Sequence, residues 1–152
     1  MNIYVFASST LTNIWAGAGA EMWAVVPLEP GSPQEKGRIT KARKMPVGAL
    51  GVLYSSEDKS LTVPFVVYSR PNEAEVIEHV WPERWVLPFK IKPLGTPHRR
   101  LQIEQAKQVL PSFQQAPDTP FNNVFRVRAD FAFQTSEISD ADWSVLIEHL
   151  AV

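Results

Sequence analysis

The 152-residue chain contains no cysteine. That absence excludes a disulfide scaffold, a thiol nucleophile and any cysteine-ligated zinc or iron–sulfur centre. Histidine is scarce as well: His79, His98 and His149 lie far apart, with none of the HxH or HExxH spacings that bring two imidazoles to one metal ion. No apolar run approaches the roughly 20 residues that a membrane-crossing helix needs. Residues 1–10 have neither a basic leader nor an apolar stretch of about 7–15 residues, so no secretory signal is expected and a cytoplasmic setting is. The segments Gly17-Ala18-Gly19-Ala20 and Gly48-Ala49-Leu50-Gly51 lack the lysine and hydroxyl of a phosphate loop, and no G-x-S-x-G elbow is present. Glu73 and Glu75 sit one residue apart, but two glutamates in a polar turn specify no chemistry. These patterns nominate no catalytic residue, no cofactor and no metal.

Hydrophobic residues make up 45% of the chain, enough for one core in a single domain spanning residues 1–152. Residues 3–7 are β-branched and aromatic and predict an opening strand, followed by a loop or short helical turn over Ser8–Gly19. Residues 22–26 predict a short strand, and Pro27, Pro30, Gly31 and Pro33 predict a long loop. From Val47 to Ser69 two apolar runs flank a polar turn, which predicts a hairpin whose Pro64 requires an edge position or a bulge. Residues 74–80 fit a strand or a helical turn. Phe89 and Ile91 alternate with Lys90 and Lys92 in a half-exposed strand over residues 86–92.

Ile103, Ala106 and Leu110 predict a helix over residues 101–110, stopped by Pro111 and followed by a polar loop to Asn123. The clearest alternation sets Phe125, Val127, Ala129, Phe131 and Phe133 against Arg126, Arg128 and Asp130, predicting a strand over residues 124–133. Ser139 and Asp142 have the spacing of a capping box, which starts a terminal helix striped by Trp143, Leu146, Ile147 and Leu150. With five to seven strands, two helices and no strand–helix–strand repeat, the sequence describes a mixed, mostly antiparallel α+β domain.

A formal net charge of −1 conceals a polarised chain. Residues 1–35 and 129–152 carry no base, whereas two acid-free stretches gather the cations. The first holds Lys36, Arg38, Lys41, Arg43 and Lys44; the second holds Arg84, Lys90, Lys92, Arg99 and Arg100. Brought together, they would make a phosphate-attracting surface; held apart, they are solvated edges. Five tryptophans are the other excess. Trp15 and Trp23 flank the Gly-Ala segment, and Trp81 and Trp85 bracket Pro82-Glu83-Arg84 before the basic strand. Indoles in loops beside lysine and arginine suit a flat base stacked on a ring with its phosphate held nearby; the alternative is that they plug the ends of a sheet.

Several segments together resemble the PUA-like superfamily and, within it, the EVE and YTH-type domains. They are Ile3–Phe6 with Ser8 and Ser9; Asn13-Ile14-Trp15 and Trp23; Val47–Ser56; Trp85–Ile91; and Ile138–Trp143 with Leu146. The resemblance implies a curled, mixed or antiparallel β-barrel with flanking helices and a pocket that receives a modified or flipped base of DNA or RNA. It implies aromatic pocket positions at Trp15, Trp23 and Trp81 or Trp85, with Ser8, Ser9 and Asn13 reading the base edge. The expected function is a non-enzymatic nucleic-acid-binding module, with the two basic stretches on the flanking phosphates. Two rivals stand beside it. A small-molecule or nucleoside-modifying enzyme would place a carboxylate or histidine of shifted pKa beside the tryptophans, and a protein-interaction domain would show a flat apolar patch without a cavity.

Overall fold

The computed structural model describes residues 1–152 and contains eight strands and six α-helices. Strand β1 (Asn2–Ser8) is apolar along its interior because both its faces are covered: Ile3 and Val5 enter one core, Tyr4 and Phe6 the other. It runs parallel to β3 (Leu50–Ser55), with Tyr4 opposite Gly51 and Ser8 opposite Ser55. A parallel pair needs a crossover, and α1 (Leu11–Ala20), β2 (Met22–Val25) and α2 (Pro33–Lys44) supply it. The expected hairpin is β3 and β4 (Ser60–Val67), and the basic strand is β6 (Trp85–Pro93), with Lys90 and Lys92 exposed and Phe89 and Ile91 buried.

The strand order is β2-β6-β4-β3-β1-β8, with β8 (Thr135–Glu137) beyond β1, β5 (Val76–Ile77) on β6 and β7 (Arg100–Gln102) on β4. This path is open. β2 and β8 do not pair, so the expected barrel is instead a mixed sheet with helices against it. Residues 124–133 form no strand, although their alternation is the strongest in the sequence.

Pro64 is accommodated by the bulge and not by an edge. Val52 faces Pro64 and Leu53 faces Thr62, leaving Val63 as the extra residue with φ 47°. The bulge divides β4 into halves with different partners: Ser60–Thr62 pair with β7, and Phe65–Val67 pair with β6.

The two sheet faces carry separate cores. One gathers Phe6, Trp23, Phe65, Phe89 and Phe133 beside α1 and α2; the other gathers Val5, Val52, Leu61, Phe113, Phe125 and Leu146 beside the later helices. Residues 125–133 pass from one to the other. Phe125 stacks 5.1 Å from Phe121 in the second core, and Phe133 meets Phe6 at 5.1 Å in the first. The alternating residues therefore share no one face, Ala129 between the anchors being exposed, and the chain forms α5 (Phe121–Val124) and a 3-10 turn over Ala129–Phe131.

Other departures follow from capping. Ser8–Gly19 is mostly helix: the Thr10 side chain accepts from Asn13 N–H, and Glu21 ends the helix at φ 52°. The proline-rich loop ends at Ser32, which caps α2, and Pro33 occupies the first turn where its missing N–H costs nothing. Residues 101–110 divide into β7 and α3 (Ile103–Val109). Pro111 ends α3 but begins α4 (Pro111–Gln115), so the expected loop is partly helical. The capping box of α6 (Asp140–Leu150) is formed as expected. Its inward residue is nevertheless Asp142, fully buried, and Trp143 is half-buried at the margin. The Asp142 carboxylate accepts from Ser139 N–H at 3.0 Å, from Ser112 N–H at 2.9 Å and from the Ser112 hydroxyl. Burial by itself raises its pKa, but the bonds from Ser112 and then Ser139 prevail and hold it below the ordinary aspartate value.

Candidate functional site

A cavity of about 500 Å³ opens where β1 ends, within the range of roughly 300–1,000 Å³ usual for small-ligand sites. Ser8 ends the strand, Ser9 and Thr10 turn the chain, and Thr12 and Asn13 begin α1 along one wall. Trp23 and Val25 of β2 form the floor with Phe6 of β1 and Trp85 of β6. Arg38 of α2, Pro82 and Glu83 before β6, and Arg128 with Ala129 complete the rim.

The close approach of α1 to the floor depends on Gly17. A Cβ there would lie 2.7 Å from Cε3 of Trp23 and 3.0 Å from the Met22 carbonyl oxygen. The helix can therefore press on the indole only with hydrogen at that position, which holds Trp23 against the cavity.

The four tryptophans expected in loops are mostly in regular structure, Trp15 on α1, Trp23 on β2 and Trp85 at the start of β6, with only Trp81 in a loop, and they do not converge as equals. Trp23 and Trp85 line the cavity with their rings 5.4 Å apart at 69°. Trp81 lies behind them, stacked on Trp85 at 4.3 Å and 18° and edge-on to Trp23 at 5.6 Å, and its Nε1 donates to the Asn13 carbonyl at 3.0 Å. A base held between two rings needs about 7 Å, twice a van der Waals contact. Trp23 and Trp85 do not leave that gap, so the cavity offers an indole corner and not a slot between two rings. Trp15 lies outside it, 43% exposed, with its ring 4.8 Å from His98.

The polar wall varies in how far it is already engaged. Ser8 is buried, and its Oγ accepts from Thr10 N–H at 3.3 Å. Asn13 uses its backbone N–H on the Thr10 cap and its carbonyl on Trp81, leaving its side-chain amide free to bond a ligand. Ser9 and Thr12 are exposed at the mouth. Nε1 of Trp85 is buried without a partner.

Charge at the rim comes from Arg38, Arg128 and Glu83. Arg38 Nη1 donates to the Val26 carbonyl at 2.6 Å, and burial pushes its pKa below the ordinary arginine value. Arg128 is exposed, pairs with Asp130 at 3.1 Å and lies over the Phe131 ring at 5.3 Å. The carboxylates with displaced pKa values lie elsewhere: Glu73, hydrogen-bonded by Arg43, and Asp142 in the second core.

Of the ten cations expected on phosphate, only Arg38 reaches the cavity. Lys36, Lys41 and Lys44 are exposed along α2, while Arg43 is bound bidentately to Glu73 at 2.9 and 2.7 Å. Arg84 pairs with Glu78 at 3.1 Å, and Arg100 with Asp58 at 3.0 Å. Arg99 donates to the Ala151 carbonyl, and Lys90 and Lys92 project from the outer side of β6. Sequence reasoning missed Thr10, Thr12 and Arg128; only the hydroxyls beside Ser8 and Ser9 left a readable signal.

No protein-family model matches the chain, and no curated protein matches it in sequence. Its fold is nevertheless shared with solved structures. The apo YTH domain of Toxoplasma CPSF4 aligns with a TM-score of 0.64 at 13% identity, covering 99% of this chain and 88% of that one. The YTH domain of Zygosaccharomyces rouxii MRB1, in complex with N6-methyladenosine RNA, aligns at 0.57 and 15% identity with the same coverages. Rpa0253 from Rhodopseudomonas palustris aligns at 0.55 and 13% identity, covering 98% of this chain and 92% of that one. The chain thus has the α+β fold of YTH domains.

Proposed function

We propose that this protein is a non-enzymatic module that binds nucleic acid by taking a modified or unpaired base into the Trp23–Trp85 cavity, and that it belongs with the EVE and YTH-type domains of the PUA-like superfamily. The observation that carries this reading is the cavity: an indole corner beside free hydrogen-bonding groups, with guanidinium at the rim. The base lies against the indoles, Ser8, Ser9 and Asn13 bond its edge, and Arg38, which has no carboxylate partner, draws the adjoining phosphate. The shared fold adds weight, because the Zygosaccharomyces rouxii YTH domain was solved with N6-methyladenosine RNA. An N6-methyl group suits the site because it adds apolar surface that the indoles can cover.

Fluorescence anisotropy with paired single-stranded RNAs, identical except for one N6-methyladenosine, tests the proposal. Tighter binding of the methylated strand is expected. Trp85→Leu should lower that affinity about five- to 150-fold, the range for one lost base–aromatic stack, with the circular-dichroism spectrum unchanged. No binding of either RNA by a folded protein would refute the RNA reading, and the matching pair of N6-methyladenine DNAs tests the other backbone.

A further inference from the structure

We infer that Trp15 and His98 form a second stacking subsite, which holds the unpaired base next in the strand to the one in the cavity. This inference rests on the proposed base-binding role of the cavity. Trp15 is the one tryptophan left largely in water; Trp23, Trp81 and Trp85 are 5% exposed or less. It is also adjacent to the site. Thr12 lines the cavity mouth, and Trp15 follows three residues later on α1, where side chains are neighbours with Cβ atoms about 5–6 Å apart. One nucleotide step is of the same order, so a strand leaving the cavity over Thr12 meets the indole next.

The indole is held in place before any ligand arrives. His98 meets it nearly perpendicularly at 4.8 Å and 78°. The loop bearing His98 is pinned by Arg99 N–H to the Thr96 carbonyl at 3.1 Å, Arg99 Nη1 to the Ala151 carbonyl at 2.7 Å and Arg100 Nη1 to the Pro97 carbonyl at 2.8 Å. Little ordering entropy then remains to oppose stacking. The charge suits the phosphodiester of a strand: Arg99 is exposed with no carboxylate partner, although Asp58 neutralises Arg100. The loop whose His98 touches the indole thus also carries a cation at Arg99, and an aromatic face combined with positive charge binds single strands without reading sequence.

The test compares two probes on wild type and Trp15→Ala: N6-methyladenosine 5′-monophosphate, which fills the cavity alone, and a pentanucleotide RNA with a central N6-methyladenosine. The expected result is a five- to 150-fold loss for the pentanucleotide with the mononucleotide affinity retained. Unchanged affinity for both probes overturns the subsite and leaves the cavity reading standing. Equal loss for both overturns it too, since Trp15 would then act on the cavity itself. A wild-type dimer that becomes monomeric in Trp15→Ala would assign the indole to self-association, and wild type binding neither probe would remove the cavity reading together with the subsite. His98→Ala supplies an independent variant and should reproduce the selective loss in smaller degree.

Discussion

Replacing Gly17 by alanine tests how α1 shapes the cavity, because two opposing effects act at one atom. Alanine is about 1 kcal/mol more favourable than glycine within a helix. Against this, the added Cβ would lie 2.7 Å from Cε3 and 2.8 Å from Cζ3 of Trp23, and 3.0 Å from the Met22 carbonyl oxygen. Trp23 is 1% exposed and bordered by Trp81 and Trp85, so the ring cannot retreat freely. Overpacking of this kind costs about 1–3 kcal/mol, and the net effect is a loss of up to about 2 kcal/mol. Gly19 on the same helix has nothing within 4 Å of its would-be Cβ. Gly19→Ala should therefore be stabilising, by up to about 1 kcal/mol near the helix end. Urea unfolding of both variants measures the contrast, which is freed from helix propensity and isolates the contact. Equal stability of the two would refute the claim that α1 is seated on Trp23 through a hydrogen-only contact. A folded Gly17→Ala protein should also bind ligand more weakly, since either the indole that lines the cavity or the helix that forms its wall must shift to relieve the contact.

The other predictions concern hydrogen bonds and charge. Trp81→Phe loses the bond to the Asn13 carbonyl and should cost about 0.5–1.5 kcal/mol more than Trp85→Phe, whose Nε1 has no partner to lose; equal melting temperatures would contradict this. Asp142 has a folded pKa below its unfolded value, so its contribution is complete above the ordinary value of 3.8 and is lost as pH falls through the lower folded one. Asp142→Asn should flatten the acid limb of the stability profile, and an unchanged limb would count against the Ser112 and Ser139 bonds. Ser139→Ala should cost about 1 kcal/mol through the lost cap, measured by thermal unfolding. Arg38→Gln should reduce the slope of log affinity against log salt, whereas Arg100→Gln should not, because Arg100 is paired with Asp58 and lies outside the cavity lining.

What the sequence made legible follows the physics of each element. β1, β3, β4 and β6 are apolar because one or both of their faces are buried, and the terminal helix carries its start in Ser139 and Asp142. Helix α2 is hidden because only Ala42 on it is fully buried, so no apolar stripe marks it. Residues 125–133 mislead for the opposite reason: their apolar residues alternate, but Phe125 and Phe133 are anchored in different cores and Ala129 between them is exposed. The lining of the candidate cavity was partly legible. Ser8, Ser9, Asn13, Trp23 and Trp85 meet at one cavity, but composition cannot tell an indole that lines a wall from one stacked behind it, as Trp81 is, or one outside, as Trp15 is. Arg128 escaped notice because its position depends on the irregular path of residues 125–133.

The five indole N–H groups give the most direct test of the base-binding claim, because each reports a different place on the molecule. A two-dimensional nitrogen–proton NMR titration with N6-methyladenosine 5′-monophosphate should shift the Trp23 and Trp85 indole signals most and leave Trp143, half-buried beside the second core, in place. Saturable shifts confined to the cavity tryptophans are the predicted result. Shifts at Trp143 alone, or no shift at any indole in a folded protein at millimolar nucleotide, would contradict the account.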